Sequence, residues 1–330
     1  MQNPTQNPHQ NLTIVNLDAK TLGGADLSEL NKHGNYIEYQ TTTYSQTIER
    51  AKEAHIILTN KVVLDKHILE NLPNLKLICV TATGTNIIDI DYATSRGILL
   101  KNVAGYSTLS VAQHTLTLAL DFLSQVHYYD NYVKSSAWCK SDIFTHLGIG
   151  RAGLAGKKWG IIGFGAIGQR VAHLAKAFDA EVFYTSTSGK NDSKSATKLE
   201  LDELLSKCDI ISIHAPLNPA TKNLIDSSKL ALLKKGAILL NLGRGGIVNE
   251  EAIANALKKG ADFYFGTDVL EIEPMSENHP FLDSAFSEHN TNSALSHRLL
   301  ITPHIAWAYG DSLKELVRLS IQNVVSFIQS

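Results

Sequence analysis

The fold of this chain is decided by one short glycine-rich stretch, Gly163-Phe164-Gly165-Ala166-Ile167-Gly168. It follows an apolar run at residues 159–162 that predicts a β-strand, and it opens a helical pattern that ends near Phe178. In this setting the first glycine permits a tight turn, the second lets the backbone approach a pyrophosphate, and the third packs the helix on the strand. The helix N-terminus adds unpaired N–H groups and a positive dipole end. The stretch therefore predicts a dinucleotide-binding βαβ unit.

The residues expected at the ribose of that dinucleotide follow the next predicted strand, at 182–184. Many such sites carry an acidic residue there, about 20 residues after the glycines, which binds the ribose hydroxyls. This chain instead has Thr185-Ser186-Thr187-Ser188-Gly189-Lys190, and its Glu181 lies at the start of the strand. The missing acid would have repelled a 2′-phosphate, and these hydroxyl and ammonium groups are able to bind one. The same hydroxyls also suit the ribose of NAD, so the sequence predicts weak discrimination between NAD(H) and NADP(H).

On both sides of this unit, short apolar runs alternate with helical patterns, which predicts two α/β blocks with parallel sheets. The predicted strands are 12–17, 37–39, 56–59 and 77–80 in the first block, and 159–162, 182–184, 210–214, 237–240, 263–267 and 299–302 in the second. We expect a long helix at 110–132, a long loop at 277–296 and a last helix at 312–328. Because only the second block has the glycine stretch, we expect a cofactor domain beside a substrate domain, with a cleft between them.

Composition restricts the classes of protein to which the chain can belong. Its 330 residues suit two domains, and 30 basic against 32 acidic residues, without a dense basic patch, argue against a nucleic-acid partner. No apolar run would span a membrane, and the first eleven residues lack a signal-peptide pattern. Three widely spaced cysteines indicate a reducing compartment. We therefore expect a cytoplasmic protein without a membrane partner, and no pattern predicts a metal site.

Three polar side chains stand where predicted strands of the second block end, the edge at which open α/β sheets bind ligands. They are Arg244, Glu273 and His304. A planar, permanently charged arginine suits the carboxylate and carbonyl oxygen of a 2-keto acid. A histidine exchanges the proton of that carbonyl, and a nearby carboxylate fixes its tautomer and favours its charged form. Each residue alone is more often structural. Together, beside a dinucleotide loop, they predict hydride transfer at C2 of a small 2-hydroxy or 2-keto acid.

These residues are part of a longer pattern that resembles the D-2-hydroxyacid dehydrogenase family over nearly the whole chain. Besides the glycine stretch, Arg244 and Glu273-Pro274, the likeness rests on Thr83-Gly84-Thr85-Asn86-Ile87-Ile88-Asp89, Asn102-Val103-Ala104-Gly105-Tyr106-Ser107, Ser110-Val111-Ala112-Gln113-His114, His214-Ala215-Pro216-Leu217 and Thr302-Pro303-His304. The ending Ile305-Ala306-Trp307 and the run at 185–190 are similar to the hydroxypyruvate reductase (glycerate dehydrogenase) and glyoxylate reductase branch.

The resemblance implies two Rossmann-like doubly wound parallel-sheet domains. One is a flavodoxin-like substrate domain of residues 1–107 and 304–330, and the other is a dinucleotide-binding Rossmann domain of residues 108–303. It also implies that Arg244 binds the substrate, that His304 is the acid/base and also contacts the substrate, and that Glu273 is its partner. Further contacts implied are Thr83, Gly84 and Tyr106 for the substrate, and Val111, His214, Ala215, Pro216, Leu242, Gly243 and Asp268 for the cofactor. A homodimer with the helix at Ser110 in its interface is also implied.

The chain departs from the family pattern at two places. Ser186 stands where the family often has aspartate, and Gly84-Thr85-Asn86-Ile87 replaces a glycine-x-aspartate-asparagine turn. The favoured function is reduction of hydroxypyruvate or glyoxylate with NAD(H) or NADP(H). An NADH-sensing regulatory protein on the same scaffold is the alternative, which the intact Arg, Glu and His make less favoured. Oxidation of formate or phosphite is a third possibility, and Thr302-Pro303 lacks the glutamine of the formate version.

Overall fold

The computed structural model describes residues 12–189, 193–286 and 295–330. The strands are β1 (Thr13–Asn16), β2 (Asn35–Glu38), β3 (Ile56–Thr59), β4 (Leu77–Val80), β5 (Leu99–Asn102), β6 (Lys158–Ile162), β7 (Glu181–Thr185), β8 (Thr197–Lys198), β9 (Ile210–Ile213), β10 (Ala237–Asn241), β11 (Phe263–Thr267) and β12 (Leu299–Ile301). The helices are α1 (Tyr44–Ala51), α2 (Lys66–Glu70), α3 (Ile90–Ser95), α4 (Thr108–Ser124), α5 (Val126–Lys134), α6 (Ala166–Ala177), α7 (Leu201–Lys207), α8 (Ser227–Leu230), α9 (Glu250–Lys258) and α10 (Gly310–Ile328).

The chain divides into two compact units, residues 1–107 with 308–330, and residues 108–307. The first junction lies between residues 107 and 108. The second lies at 308 rather than at 304, so His304 belongs to the second unit. The short segment after β12 accounts for the difference, because it is hydrogen-bonded to its own sheet, with the Thr302 N–H donating to the Thr267 carbonyl at 2.9 Å.

The first unit is a five-stranded parallel sheet in the order β2-β1-β3-β4-β5. This is the flavodoxin-like order, in which the chain moves outward in both directions from the first strand. Strands β3 and β4 are buried along their whole length, as expected for strands that are almost wholly apolar, with Thr59 the one polar residue. The C-terminal helix α10 returns to pack against β4, where the Cys79 thiol lies 3.8 Å from the Ser320 carbonyl.

The second unit is a seven-stranded parallel sheet in the order β12-β11-β10-β9-β6-β7-β8. Strand order reverses between β6 and β9, the switch point at which doubly wound sheets bind ligands. Helices α4 and α6 pack on each other over one apolar cluster around Trp159, and a second cluster around Phe265 includes the buried face of α9. The expected class, two Rossmann-like doubly wound parallel-sheet units, is therefore confirmed.

Three expectations about elements need correction. The helix expected at 110–132 is interrupted at Gln125, which adopts a left-handed conformation with φ of 54° between α4 and α5. Its buried side-chain amide donates to the Phe122 carbonyl and so caps the end of α4. Strands β5 and β8 were not predicted, since both carry lysine and β8 has only two residues. The loop expected at 277–296 contains short 3-10 turns at Pro280–Leu282 and Ser284–Phe286, and its residues 287–294 lie outside the described residues.

Within the described ranges, no helix is both long enough and apolar enough to cross a membrane.

Candidate active site

The glycine loop lies at the switch point of the second unit. Each of its three glycines is suited to its position for a different physical reason. Gly163 has φ of 91°, and a Cβ there would stand 2.7 Å from the Ala215 nitrogen. A Cβ on Gly168 would stand 2.4 Å from the Gly163 carbonyl oxygen, so this glycine allows α6 to approach the strand. A Cβ on Gly165 would meet nothing within 4 Å.

The open space over Gly165 is the side from which a ligand can reach the backbone. Gly165 is also the residue that precedes the first turn of α6, where Ala166 and Ile167 begin the helix. Free N–H groups and a positive dipole end at such a position attract phosphate oxygens. The loop is therefore tightly packed at Gly163 and Gly168 and open over Gly165, which fits a dinucleotide pyrophosphate.

The ribose-side residues follow β7, next to the loop. The Gly163 N–H donates to the Thr185 carbonyl at 3.0 Å, which holds the end of β7 against the glycine loop. Ser186 and Thr187 come next and are half-buried, whereas Glu181 is exposed at the opposite end of the strand. Lys190 lies outside the described residues. The strand end thus presents hydroxyl groups where an acid is common.

The turns after β9 and β10 pack on the same loop. A Cβ on Gly243 would stand 2.7 Å from the Ala215 carbonyl oxygen, so the backbones of these two turns touch, as those of Gly163 and Ala215 do. Leu242 is buried beside Gly243, and Val111 is buried on the core-facing side of α4. The predicted cofactor residues of three strand ends, β6, β9 and β10, are therefore brought together.

His214 occupies an unusual position in the turn after β9, which ends at Pro216. Both of its ring nitrogens are buried, and neither has a hydrogen-bond partner among the described residues. Burial lowers the pKa of His214 to about 3, because the charged imidazolium loses its water. The ring is therefore neutral at ordinary pH.

Arg244 is fixed by the turn that follows β10. The Asn241 side-chain amide donates to the Arg244 carbonyl at 2.9 Å, and its oxygen accepts the Gly243 N–H at 3.2 Å. The half-buried guanidinium donates to the Gly243 carbonyl at 2.9 Å. Because Asn241 is buried, its two hydrogen bonds hold the turn in place and set the direction in which the Arg244 side chain extends from the end of β10.

The Arg244 turn lies directly against the segment that carries Glu273. A Cβ on Gly245 would stand 1.9 Å from the Leu270 carbonyl oxygen and 2.3 Å from the Glu271 nitrogen, which is backbone against backbone. The Leu270 N–H donates to Glu273 Oε1 at 3.0 Å. The two strand-end segments therefore hold each other in register.

His304 and Glu273 are in contact. The Nδ1 atom of His304 lies 2.7 Å from Glu273 Oε2, and the two side chains are 25% and 32% exposed. Because an ionised carboxylate only accepts hydrogen bonds, Nδ1 carries the proton and Nε2 is the nitrogen left to exchange one. His304 has φ of 53°, a conformation that non-glycine residues adopt at a cost and that is frequent at functional sites.

The His304 loop is held by a buried aspartate, Asp268, in a role that its place in the sequence does not reveal. Asp268 Oδ1 accepts the Thr302 hydroxyl at 2.6 Å and the Ile305 N–H at 2.9 Å, and Oδ2 accepts the Ala306 N–H at 2.9 Å. Hydrogen bonds to a carboxylate are about twice as strong as those between neutral groups. Asp268, which was expected beside the cofactor, therefore sets the loop on which His304 stands.

Behind this aspartate lies His114 of α4. Its Nε2 lies 3.0 Å from the Thr302 hydroxyl, whose own proton goes to Asp268, so Nε2 is the donor. Burial lowers the pKa of His114, and the Asp268 charge, 3.8 Å away, opposes that shift. The sequence signal for this pair was weak: a polar residue after an apolar strand, and a histidine inside an apolar helix.

Three predicted substrate residues belong to the first unit, at the carboxyl ends of its strands. Thr83 and Gly84 follow β4, and the half-buried Tyr106 follows β5. The Thr83 hydroxyl donates to the Val103 carbonyl at 3.1 Å, which ties the ends of β4 and β5 together. Their contact with a substrate stays a prediction.

Residues 116–306 match the family model described as "D-isomer specific 2-hydroxyacid dehydrogenase, NAD binding domain". A putative 2-hydroxyacid dehydrogenase of Haemophilus influenzae is 36% identical, covering 89% of this chain and 90% of that protein. A glycerate dehydrogenase of Methylorubrum extorquens is 33% identical, covering 96% of each chain.

Among solved structures, a D-lactate dehydrogenase of Aquifex aeolicus in complex with NAD and lactic acid is similar. It has a TM-score of 0.81 and 26% identity, and the match covers 97% of this chain and 96% of that one.

The chain therefore belongs to the D-isomer-specific 2-hydroxyacid dehydrogenases. It is an oxidoreductase that acts on 2-hydroxy acids with NAD(H) or NADP(H), and a purely regulatory role is not favoured.

Proposed function

We propose that this enzyme reduces a small 2-keto acid, hydroxypyruvate or glyoxylate, to the corresponding 2-hydroxy acid, of D configuration where C2 is a stereocentre. The observation that carries the proposal is the 2.7 Å contact between His304 and Glu273 on a loop held by Asp268. The similarity to a glycerate dehydrogenase supports a three-carbon hydroxy acid as substrate.

The roles of the chain's own residues follow from their chemistry. The glycine loop and the residues after β7 would hold the cofactor, whose nicotinamide supplies the hydride that C2 receives. Arg244 binds the carboxylate and the carbonyl oxygen of the keto acid and stabilises the negative charge that develops on that oxygen. His304 donates the Nε2 proton to the same oxygen, while Glu273 stabilises the imidazolium and fixes Nδ1 as the other protonated nitrogen. In the oxidative direction, neutral His304 removes that proton.

Substitution of Arg244 tests these roles. Arg244→Ala is expected to lower kcat/KM for the keto acid by about 1000-fold, because a charge-assisted contact that strengthens in the transition state is lost. Arg244→Lys should recover only part of the loss, since an ammonium cannot form the bidentate fork. The control is Arg318→Ala, which removes an exposed arginine paired with Glu315 on α10. Nearly unchanged turnover in Arg244→Ala would rule the assignment out.

We also propose that the enzyme uses both NADH and NADPH. The support is the run of hydroxyl side chains after β7, with the acidic Glu181 at the far end of the strand. Comparison of the two Michaelis constants tests this. A preference of more than about 100-fold for either cofactor, the size of effect that a built-in charge contact gives, would contradict it.

A cytoplasmic homodimer is our proposal for the enzyme's location and assembly. Large apolar side chains are exposed close together in the chain at Ile143, Phe144 and Leu147, the second being 89% exposed. Large exposed apolar side chains are typical of association sites where they form a contiguous patch, which supports a dimer contact at this segment. Light scattering during size exclusion should give twice the 36.1 kDa mass of the chain, and a single-chain mass would contradict the dimer.

A further inference from the structure

A second buried acid–histidine pair lies behind the segment that carries Glu273. Glu250, in the first turn of α9, places its Oε2 atom 2.8 Å from His279 Nε2, and their side chains are only 13% and 8% exposed. The other carboxylate oxygen, Oε1, accepts the Glu271 N–H at 2.7 Å. Both oxygens of Glu250 are therefore engaged, one with a histidine and one with the backbone two residues before Glu273.

The protonation of His279 follows from its second ring nitrogen. Nδ1 accepts the Phe281 N–H at 3.2 Å, in a cap of the short turn Pro280–Leu282. Nδ1 is then without a proton, so Nε2–H is the donor to Glu250. A neutral His279 thus fixes the carboxylate from one side, and the carboxylate fixes Glu271 from the other.

The Glu250–His279 pair is connected to the Glu273–His304 pair through the backbone of the segment from Leu270 to Glu273. Three contacts hold the segment from Leu270 to Glu273: the bond from Glu271 to Glu250, the bond from the Leu270 N–H to Glu273, and the close packing against Gly245. The carboxylate of Glu273 meets His304 at the end of that segment. A small shift of the segment would change the distance between Glu273 and His304.

We propose that Glu250, oriented by His279, is a positioning residue for the Glu273–His304 pair. The proposal rests on the proposed function, since it presupposes that His304 is the proton donor and Glu273 its partner. The contacts of Glu250 are with the His279 ring and the Glu271 N–H. Glu250 acts by keeping the Glu273 carboxylate within hydrogen-bond distance of His304.

The chain supplies a matched control, Glu251. It lies in the same first turn of α9, has the same charge relative to the helix dipole, and is exposed. Glu251→Gln removes the same charge from the same helix end without touching Glu271 or His279. Any difference between the two variants therefore measures the contacts of Glu250.

The test is the pH dependence of kcat/KM for keto-acid reduction in Glu250→Gln, Glu251→Gln, Glu273→Gln and the double variant of Glu250 and Glu273. Glu250→Gln should lower kcat/KM by about 10- to 100-fold, the scale of a misplacement of about 1 Å. It should also move the alkaline limb of the profile in the same direction as Glu273→Gln does, because both substitutions disturb the contact between the same carboxylate and His304.

Three further results are expected. Added to Glu273→Gln, the Glu250 substitution should shift the limb no further, because the two act through one contact. The Kd for NADH, from nicotinamide fluorescence, should change less than about 3-fold, since the positioning contacts lie away from the glycine loop. His279→Gln, which retains a donor, should be closer to the unsubstituted enzyme than His279→Leu.

The proposal is overturned if the alkaline limb of Glu250→Gln stays with that of Glu251→Gln, whether or not the melting temperature falls. It is also overturned if the shift caused by Glu250→Gln adds fully to that of Glu273→Gln. If Glu273→Gln itself leaves the profile unmoved, the proposed function has failed instead, and the two failures are told apart by this single variant.

Discussion

Replacing Gly245 with alanine is expected to separate the Arg244 turn from the segment that carries Glu273. The new Cβ would stand 1.9 Å from the Leu270 oxygen and 2.0 Å from the Leu270 carbonyl carbon, both backbone atoms. Since relaxed contacts lie at roughly 3.5 Å, the two backbones must move apart by more than about 1 Å. Overpacking of this kind costs about 1–3 kcal/mol of folding free energy, which a well-folded domain tolerates.

The effect on catalysis should be larger than the effect on stability. Misplacing a binding or catalytic group by about 1 Å can lower the rate about 100-fold, so kcat/KM for the keto acid should fall by that order. The Kd for NADH should change only a few-fold, because the glycine loop after β6 is not displaced. Steady-state kinetics, a fluorescence titration with NADH and a chemical denaturation curve give the three quantities.

Gly150→Ala is the matched control, because a Cβ at Gly150 meets nothing within 4 Å and the residue has no positive φ. If Gly245→Ala reduces keto acids within about 2-fold of the Gly150→Ala enzyme, far less than a 1 Å misplacement costs, the two segments are not held in place by this contact.

Four other substitutions test the cofactor side of the site. Gly165→Ala should preserve the melting temperature yet weaken NADH binding by about 10-fold or more, because its Cβ fills only the open space over the loop. Gly168→Ala, whose Cβ would stand 2.4 Å from the Gly163 oxygen, should lower both the melting temperature and the affinity for NADH. Equal melting temperatures of the two variants would contradict this. Ser186→Asp should raise the KM for NADPH by about 10-fold or more through repulsion of the 2′-phosphate, with NADH little affected, and an unchanged ratio of the two constants would place Ser186 away from the ribose. His214→Leu should flatten the loss of stability in acid. The pKa of His214 is about 3 in the folded chain, against 6.5 for an ordinary solvated histidine. Above pH 6.5 the ring is neutral in both the folded and the unfolded chain, and the free energy of unfolding is undiminished. As the pH falls from 6.5 towards 3, only the unfolded chain takes up the proton, so the free energy of unfolding decreases. At pH 5 the loss is about 2 kcal/mol, and parallel curves of unfolding free energy against pH for the two proteins would show that the ring is solvated.

The parts of the fold that sequence could predict are those with a local signal. Buried strands such as β3 and β11 are short apolar runs of the right length, and the glycine loop has a spacing that few other structures require. Strand β8 has no such signal, because two polar residues at a sheet edge look like loop. The break between helices at Gln125 also has no signal in the sequence, since neither glycine nor proline marks it.

The site shows the same division. Glu273 and His304 were predicted as a pair from their places at strand ends, and the structure puts them in contact. The contacts that His114 makes with Thr302 and Glu250 makes with His279 were not predicted. Glu273 and His304 follow predicted strands, but His114, Glu250 and His279 do not, so no local pattern places them together. Only the packed sheet brings them together.

Reduction of a small 2-keto acid with His304 as the proton donor can be measured by nicotinamide absorbance. NADH and NADPH are each assayed against hydroxypyruvate, glyoxylate, pyruvate and phenylpyruvate, with the unsubstituted enzyme and with His304→Gln. We expect fast oxidation of the cofactor with hydroxypyruvate or glyoxylate, and a loss of about 100- to 10,000-fold in His304→Gln. No turnover with any keto acid despite measurable NADH binding, or undiminished turnover in His304→Gln, would contradict it.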